Sequence, residues 1–391
     1  MSSRPSSVAA VVAFALSAGA AFAACSPSAT TATGETCADC TDASADGSGD
    51  FPVGTDASVT GFEATLFSFT GSENRRTNDL TAAFPPAAAF DNITMTLTLA
   101  CPSGKCDAWD RAGTVGVVID EDGVGGNDEQ VIEIARFMTP YGVGGTWTYD
   151  LTDLAPILRG PVKLRGFIDT WVGPGSSYGN GWALTTTFAF HGGTLERTPI
   201  AVIPIWQHGA DSALVVGDSQ KPLSASLPDQ TRTLRAPASA VSLRTIITGH
   251  GQGNAGNCAE FCKLEHTTTL STTGGTSSVN KVTPWRNDCR TTAVAGQQGT
   301  WTLSRAGWCP GADVRAWNYD VTGLSAAALA GREPIVVHHG VAAYDNTCRE
   351  MPTDSGTCNQ ATCSLGTPCA YDGGNHTEPF FRLSTVMIAY R

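Results

Sequence analysis

Basic residues are scarce in this chain and nowhere cluster: 24 Lys and Arg stand against 36 Asp and Glu, for a formal net charge of −12. A phosphate-backbone partner needs concentrated cations, so nucleic acid is excluded as an expected partner. Charge of either sign is sparse, at 15% of residues against 41% hydrophobic, which is the balance of a globular exported protein. The one long apolar run, residues 8–24, is short for a bilayer span. No internal repeat recurs at a fixed period. No long segment has helical 3.6-residue spacing either, and LSAAALAG (324–331) is the only short helix expected.

The apolar run follows Arg4 and ends in small residues, the pattern of a secretory signal over 1–24. Cleavage can follow the Ala21-Phe22-Ala23 box. Alternatively Phe22-Ala23-Ala24-Cys25 is close to a bacterial lipoprotein box, which makes Cys25 a lipidation candidate; an uncleaved anchor is the third option. The 13 cysteines favour the lipid, because acylating one leaves an even number to pair in an oxidising compartment. The expected location is therefore the bacterial cell surface or outer membrane, or the medium, with membrane contact only through the lipid. Residues 25–58 are rich in Ser, Thr, Ala, Asp and Gly and read as a flexible tether. Cys37 and Cys40 within it read as a local clip, ahead of a redox pair or half a zinc site.

Beyond the tether, Ile93, Met95, Leu97 and Leu99 alternate with threonines, the two-residue period of a half-buried strand. Similar β-rich runs lie at 114–120, 162–172, 182–190, 200–206, 244–249, 333–344 and 380–390, punctuated by many of the 43 Gly and 21 Pro. An all-β fold follows, sandwich or jelly roll. Its break falls near HGGTLERTPI (191–200), giving domains of 59–195 and 196–391. Four cysteines in 348–379, with little apolar periodicity, mark a disulfide-rich insert in the second domain.

Two stretches suggest chemistry. In CPSGKCDAWDR (101–111), a Cys101–Cys106 bridge would close a small ring, worth roughly 2 kcal/mol in the chain-entropy model. So small a ring is better explained by local geometry: it sets the direction of Trp109, Asp110 and Arg111. The plain alternative is a stapled turn with a solvated Asp and Arg. In NCAEFCKLEH (257–266), Cys258 and Cys262 can close a second small ring around Glu260. A four-sulfur zinc site from the two pairs competes, but the oxidising context counts against it, and no metal is expected.

Taken in order, CPSGKCDAWDR, RFMTPYGVG (136–144), IDTW (168–171), RTIITGHG (244–251), CAEFC (258–262) and SRAGWCPG (304–311) resemble the peptide:N-glycosidase F family. The resemblance runs over roughly 62–391 and omits the tether and the four-cysteine insert. It implies two jelly-roll β-sandwiches side by side with the active site between them, no cofactor, a monomer, and hydrolysis of the amide joining an N-glycan to asparagine in glycoproteins or glycopeptides. The family's essential aspartate falls on Asp110 and its ring glutamate on Glu260. Its third carboxylate, a glutamate, falls on Asp169, one methylene shorter. The resemblance also pairs Cys289 with Cys309, puts Phe261 where the family has tryptophan, and puts His250 at a cleft tryptophan. Arg111 or Arg305 would stabilise negative charge or form a structural ion pair. Trp109, Trp171 and Trp308 would offer faces to sugar or peptide, core packing being their plain alternative. Two rival classes are a glycopeptide-binding lipoprotein without turnover and a copper monooxygenase of similar double jelly roll. For the latter only His338-His339 is suggestive among 7 histidines.

Overall fold

The computed structural model describes residues 51–119, 129–210, 212–218, 221–251, 259–344, 348–349, 369–370 and 379–391. The expected signal, Cys25, the Cys37/Cys40 clip, Cys258 and most of the four-cysteine insert lie outside them. The first half contributes β1 (Ala57–Thr60), β2 (Thr65–Phe67), β3 (Thr77–Ala83), β4 (Phe90–Ala100), β5 (Ala112–Ile119), β6 (Gln130–Met138), β7 (Gly145–Asp150), β8 (Pro161–Ile168) and β9 (Trp182–Gly192). One sheet runs β1-β9-β4-β7, with β2 also on β9. The alternation read from the sequence is realised in β4. Ile93, Met95, Leu97 and Leu99 point inward, while the intervening threonines face out or lie half-buried. Met95 stands opposite Phe188 on β9, and this inner face shares one core with Val115, Ile132 and Leu164 of the second sheet.

The second half contributes β10 (Pro199–His208), β11 (Leu214–Val215), β12 (Gln230–Arg232), β13 (Ala240–His250), β14 (His266–Thr272), β15 (Gly275–Val282), β16 (Ala312–Asp313), β17 (Trp317–Val321), β18 (Ile335–Val341), β19 (Cys348–Arg349), β20 (Cys369–Ala370) and β21 (Phe380–Tyr390). Its sheets are β10-β21-β13-β17, with β11 on β21, and β12-β18-β14-β15. Leu243, Leu270, Val337 and Met387 lie between them. The two sandwiches meet along β5 and β6 on one side and β13 and β21 on the other, so the all-β double-sandwich expectation holds.

Several expected boundaries move. Residues 51–58 of the expected tether are already held: Gly54 donates to the Ala89 carbonyl at 2.8 Å, the Arg159 guanidinium lies 4.7 Å from the Phe51 ring, and β1 pairs with β9. The strand expected over 162–172 stops at Ile168 because Asp169, Thr170 and Trp171 turn into side-chain contacts described below. The expected helix over 324–331 shrinks to Ala326–Leu329, capped by the Ser325 hydroxyl. The second half also lends material to the first, because β16 joins β6 in the first half's second sheet, order β16-β6-β5-β8-β3. In the insert, β19 and β20 pair in parallel, Cys348 opposite Cys369.

At the junction Ala112, Met138, Ile246, Trp308 and Val314 form a small apolar cluster. Beside it Arg136, fully buried, donates to both oxygens of Glu133 at 2.7 Å each, to the Thr248 hydroxyl at 2.8 Å and to the Arg382 carbonyl at 2.9 Å. One first-half guanidinium thus ties β6 to β13 and β21. Among the described residues, no helix is long and apolar enough to cross a membrane.

Candidate active site

The ring is closed as expected: Cys101 and Cys106 are bridged with Cα atoms 4.2 Å apart. Between them a single 3-10 turn (Pro102–Gly104) starts on a proline and passes through left-handed Ser103 (φ 49°) and Gly104 (φ 76°). The loop at 173–181 packs directly on this ring. A Cβ on Gly179, at φ 127°, would fall 2.0 Å from the Cys106 carbonyl oxygen, so only glycine lets the two backbones meet.

Behind the ring Asp107 is wholly buried. It accepts the Arg111 Nε–H at 3.0 Å, the Thr170 hydroxyl at 2.7 Å and the Trp109 amide at 3.0 Å. This carboxylate answers why an Asp-x-Trp-Asp-Arg run follows a small ring: the ring aims the chain and Asp107 pins the next turn from within. Arg111 is thereby committed to a structural ion pair. Asp107→Ala should destabilise the fold by about 2–4 kcal/mol, since it leaves Arg111, Thr170 and the Trp109 amide without their acceptor; urea unfolding measures it.

Asp110 projects beyond this turn to the junction of the two halves. Its Oδ2 accepts the Tyr141 hydroxyl at 2.8 Å and lies 3.9 Å from Nη2 of Arg305. Glu260 arrives from the second half, 8% exposed, with Oε1 accepting Arg305 Nε–H at 2.9 Å. A single guanidinium therefore stands between the two carboxyl groups. Arg305, 1% exposed, is itself held by the Thr300 and Leu303 carbonyls at 3.0 Å and the Thr300 hydroxyl at 2.9 Å, so it cannot swing away from either acid. The Glu260 carbonyl also accepts the Ala306 amide at 2.8 Å, linking its turn to the 304–309 stretch. Cys262 is disulfide-bonded, and its expected partner Cys258 lies outside the described residues. Cys289 and Cys309 are bridged, clamping the far end of that stretch.

Burial raises the pKa of both acids, and burial outweighs the opposing pull of Arg305 in each. Asp110 is moved upward, with the Tyr141 hydrogen bond acting against the shift. Glu260 is pushed up to about 7, with the charge of Asp110 adding to the effect of burial. The Tyr141 hydroxyl is raised by burial first and by Asp110 second, so it stays a proton donor at neutral pH.

Asp169 does not join this pair. Its oxygens are taken by Arg76 at 3.1 Å, Arg382 at 3.0 Å and the Trp171 indole N–H at 3.1 Å. It is nonetheless next door, because its amide donates to the Ala112 carbonyl and Thr170 holds Asp107. Trp109 and Trp171 are about half exposed; Arg76 lies over the Trp171 ring at 4.1 Å with Phe69 5.0 Å from it, and Trp109 is 6.4 Å from the exposed Tyr178.

Two expectations are corrected. Trp308 is 3% exposed, donates its indole N–H to the Gly249 carbonyl and stacks on His250, so it packs the site's floor and offers no face to a ligand. His250 is buried too, between Trp308 and Phe380, with Nε2 2.7 Å from the Thr248 hydroxyl. Burial, with Arg382 and Arg136 nearby, holds its pKa well below the usual histidine value, so it is a neutral packing group and not a sugar platform. His338 and His339 fall on opposite faces of β18, one bonded to Asp229 and the other to His266 and Thr268, so adjacent residues cannot share a metal there.

Sequence reasoning passed over Tyr141, although it lies in RFMTPYGVG; a hydroxyl three residues past a strand end gives no signal until its partner is known. Arg76, Arg136 and Arg382 were missed for the same reason.

The C-terminal part of the chain, residues 224–350, matches the family model described as "Peptide-N-glycosidase F, C terminal". A curated relative, peptide-N(4)-(N-acetyl-beta-D-glucosaminyl)asparagine amidase F of Elizabethkingia miricola, is 28% identical over 250 residues. That match spans 59% of this chain and 64% of the relative, just under two thirds of its length. The solved structure of PNGase F, a glycosylasparaginase from Flavobacterium meningosepticum, superimposes with a TM-score of 0.66 at 22% identity, covering 86% of this chain and 96% of that one. The structure of PNGF-II gives 0.61 at 18% identity, covering 85% and 65%. These superpositions establish the fold.

Proposed function

We propose that this chain, which is similar to peptide-N-glycosidase F over residues 224–350 and to a 28% identical amidase, is an amidase that hydrolyses the bond between N-acetylglucosamine and asparagine. It would act on N-glycosylated proteins or glycopeptides, release the whole glycan as its glycosylamine, and leave aspartate in the peptide. The supporting observation is the convergence of Asp110 and Glu260, one from each half, on the immobile Arg305.

An amide is a poor electrophile, so water must be activated while the developing oxyanion and the leaving amine are stabilised. Asp110, aimed by the ring and by Tyr141, directs the proton transfer at the amide. Glu260 positions the water across the junction. Titrating near neutrality, it can hold or release a proton without a large driving force. Arg305 keeps the two acids in register and supplies positive charge. Trp109 and Trp171 give apolar faces for pyranose C–H surfaces. Export fits a substrate found outside cells, and Cys25 would carry any lipid.

Digestion of a glycopeptide tests the reading: the linkage asparagine becomes aspartate, whereas an endoglycosidase leaves one sugar on unchanged asparagine. Binding without that conversion would select the non-catalytic reading, which the double clamp on Asp169 favours. The pH profile gives a second check. Wild type should show a rate limb with an apparent pKa near 7 that disappears in Glu260→Gln. Stability moves in a defined direction as well. A folded-state pKa of about 7 against the ordinary 4.5 means that protonated Glu260 stabilises the fold below pH 4.5. This contribution, roughly 3 kcal/mol, is lost as the pH rises to 7. Glu260→Gln should flatten it in a pH series of urea midpoints.

A further inference from the structure

A second hollow lies between the halves, formed by β5 and β6 on one side and β10, the α1 turn (Leu223–Ser226) and β12 on the other. It encloses about 580 Å3, within the roughly 300–1,000 Å3 usual for ligand sites. It is distinct from the Asp110–Glu260 cluster, and no residue of that cluster lines it. Thr114, the wall residue nearest Asp110 in sequence, is four residues beyond it, about 13 Å at the usual strand rise.

The chemistry of its wall is specific. Each carboxylate is already neutralised: Glu129 by Lys163 and by Arg165 at 3.0 Å, and Glu133 by Arg136. Arg232, the cation of the wall, directs its donors to the Pro204 and Thr231 carbonyls and the Gln230 amide oxygen at 2.9–3.0 Å. Burial keeps His208 below its usual pKa, hence neutral at neutral pH. Hydrogen-bonding capacity remains on neutral groups. The side chains of Thr114, Gln130 and Ser226 make no bond to another described residue, and Gln207 uses one of its two amide N–H groups, on the Thr385 carbonyl. Ile205, Val131 and Pro228 supply apolar surface between them. Neutral donors and acceptors set among apolar patches, with the carboxylates paired and the one guanidinium of the wall held by three neutral acceptors, match a polyhydroxylated ligand without a strong charge.

We propose that this groove is a second carbohydrate site, binding a neutral oligosaccharide through Thr114, Gln130, Gln207 and Ser226. The choice of sugar over another neutral polyol rests on the glycan-releasing reading; the site itself does not. It would hold an outer glycan arm or a glycan on a neighbouring segment of substrate, raising the local concentration of linkages at Asp110.

The probe is a mannose trisaccharide, which carries neither the linkage amide nor the linkage sugar. Titration calorimetry on the full chain should show one binding event, weakened at least ten-fold in Gln130→Leu/Ser226→Val. Both positions are exposed, so the variant folds. The same event should persist unchanged in Asp110→Asn. Turnover of a short glycopeptide bearing only the linkage disaccharide should be unaffected by the groove substitutions. The proposal is overturned if the trisaccharide does not bind, if the groove variant binds it as wild type does, or if Asp110→Asn abolishes binding. Loss of turnover in Asp110→Asn is scored separately, so the two readings can fail independently.

Discussion

Asp110→Asn is expected to lower glycan release by about 10²–10⁴-fold, the usual contribution of a positioned acid or base. Asparagine keeps the shape of the side chain and can still meet the Tyr141 hydroxyl, but it cannot take or give the proton. The fold should not suffer. The carboxyl sits where burial raises its pKa against the pull of Arg305, so an uncharged isostere avoids a desolvation cost and the melting temperature should hold or rise slightly. Loss of rate with retained stability is the signature of a group that acts on the reacting atoms. Tyr141→Phe supplies the graded control. It removes the side-chain hydrogen bond from Tyr141 that favours the ionised form of Asp110, and so should shift the acidic limb of the rate profile upward while leaving part of the activity. If Asp110→Asn released glycan at the wild-type rate, the assignment of the site would be lost.

The largest effect on stability is expected at Arg136, which touches no proposed substrate atom. Replacing it by methionine leaves Glu133 buried with a carboxylate that has lost its guanidinium. Breaking one side of a buried pair typically costs 3–5 kcal/mol. Because Arg136 also bonds Thr248 and the Arg382 carbonyl, the loss falls on the seam between the sandwiches. The double variant Arg136→Met/Glu133→Leu removes both charges and should recover much of the deficit, since an apolar pair of similar volume is no worse than a buried ion pair. Urea unfolding of the two variants gives the comparison, and equal destabilisation would show that the seam depends on the Thr248 and Arg382 bonds instead. Weakening the seam should also reduce activity, because Asp110 and Glu260 belong to different halves.

Much of the fold was legible because β-strands write a two-residue period. Where one face is buried and the other is not, as in β4, the pattern is unmistakable. The same rule failed at 169–172, where β-like residues leave the strand to serve Asp107 and the two arginines; composition does not distinguish a strand residue from one that turns toward a buried charge. Periodicity was also silent about Ala312 and Asp313, which cross to the first half's sheet, since two residues are too short to show a period. Within the site, the covalent and local features were readable: the Cys101–Cys106 ring is a matter of spacing, Asp110 follows it closely, and Glu260 stands two residues before the bridged Cys262. The tryptophans were not separable by type. Trp109 and Trp171 are half exposed while Trp308 is covered by Arg305 and His250, and nothing in their flanking residues encodes that difference.

What the sequence determined by itself is local: the alternation that makes strands, the glycine that lets the 173–181 loop touch the ring, and the short cystine hoop that aims Asp110. The tertiary structure decided which distant groups share a space. It set Arg305 between acids 150 residues apart, locked Asp169 between Arg76 and Arg382, and turned a titratable histidine into a neutral filler by stacking it between Trp308 and Phe380. The physical reason is range. Backbone preference and ring closure act over a few residues, whereas burial, which sets the pKa of Glu260 and His250 alike, exists only once both sandwiches have closed on the same seam.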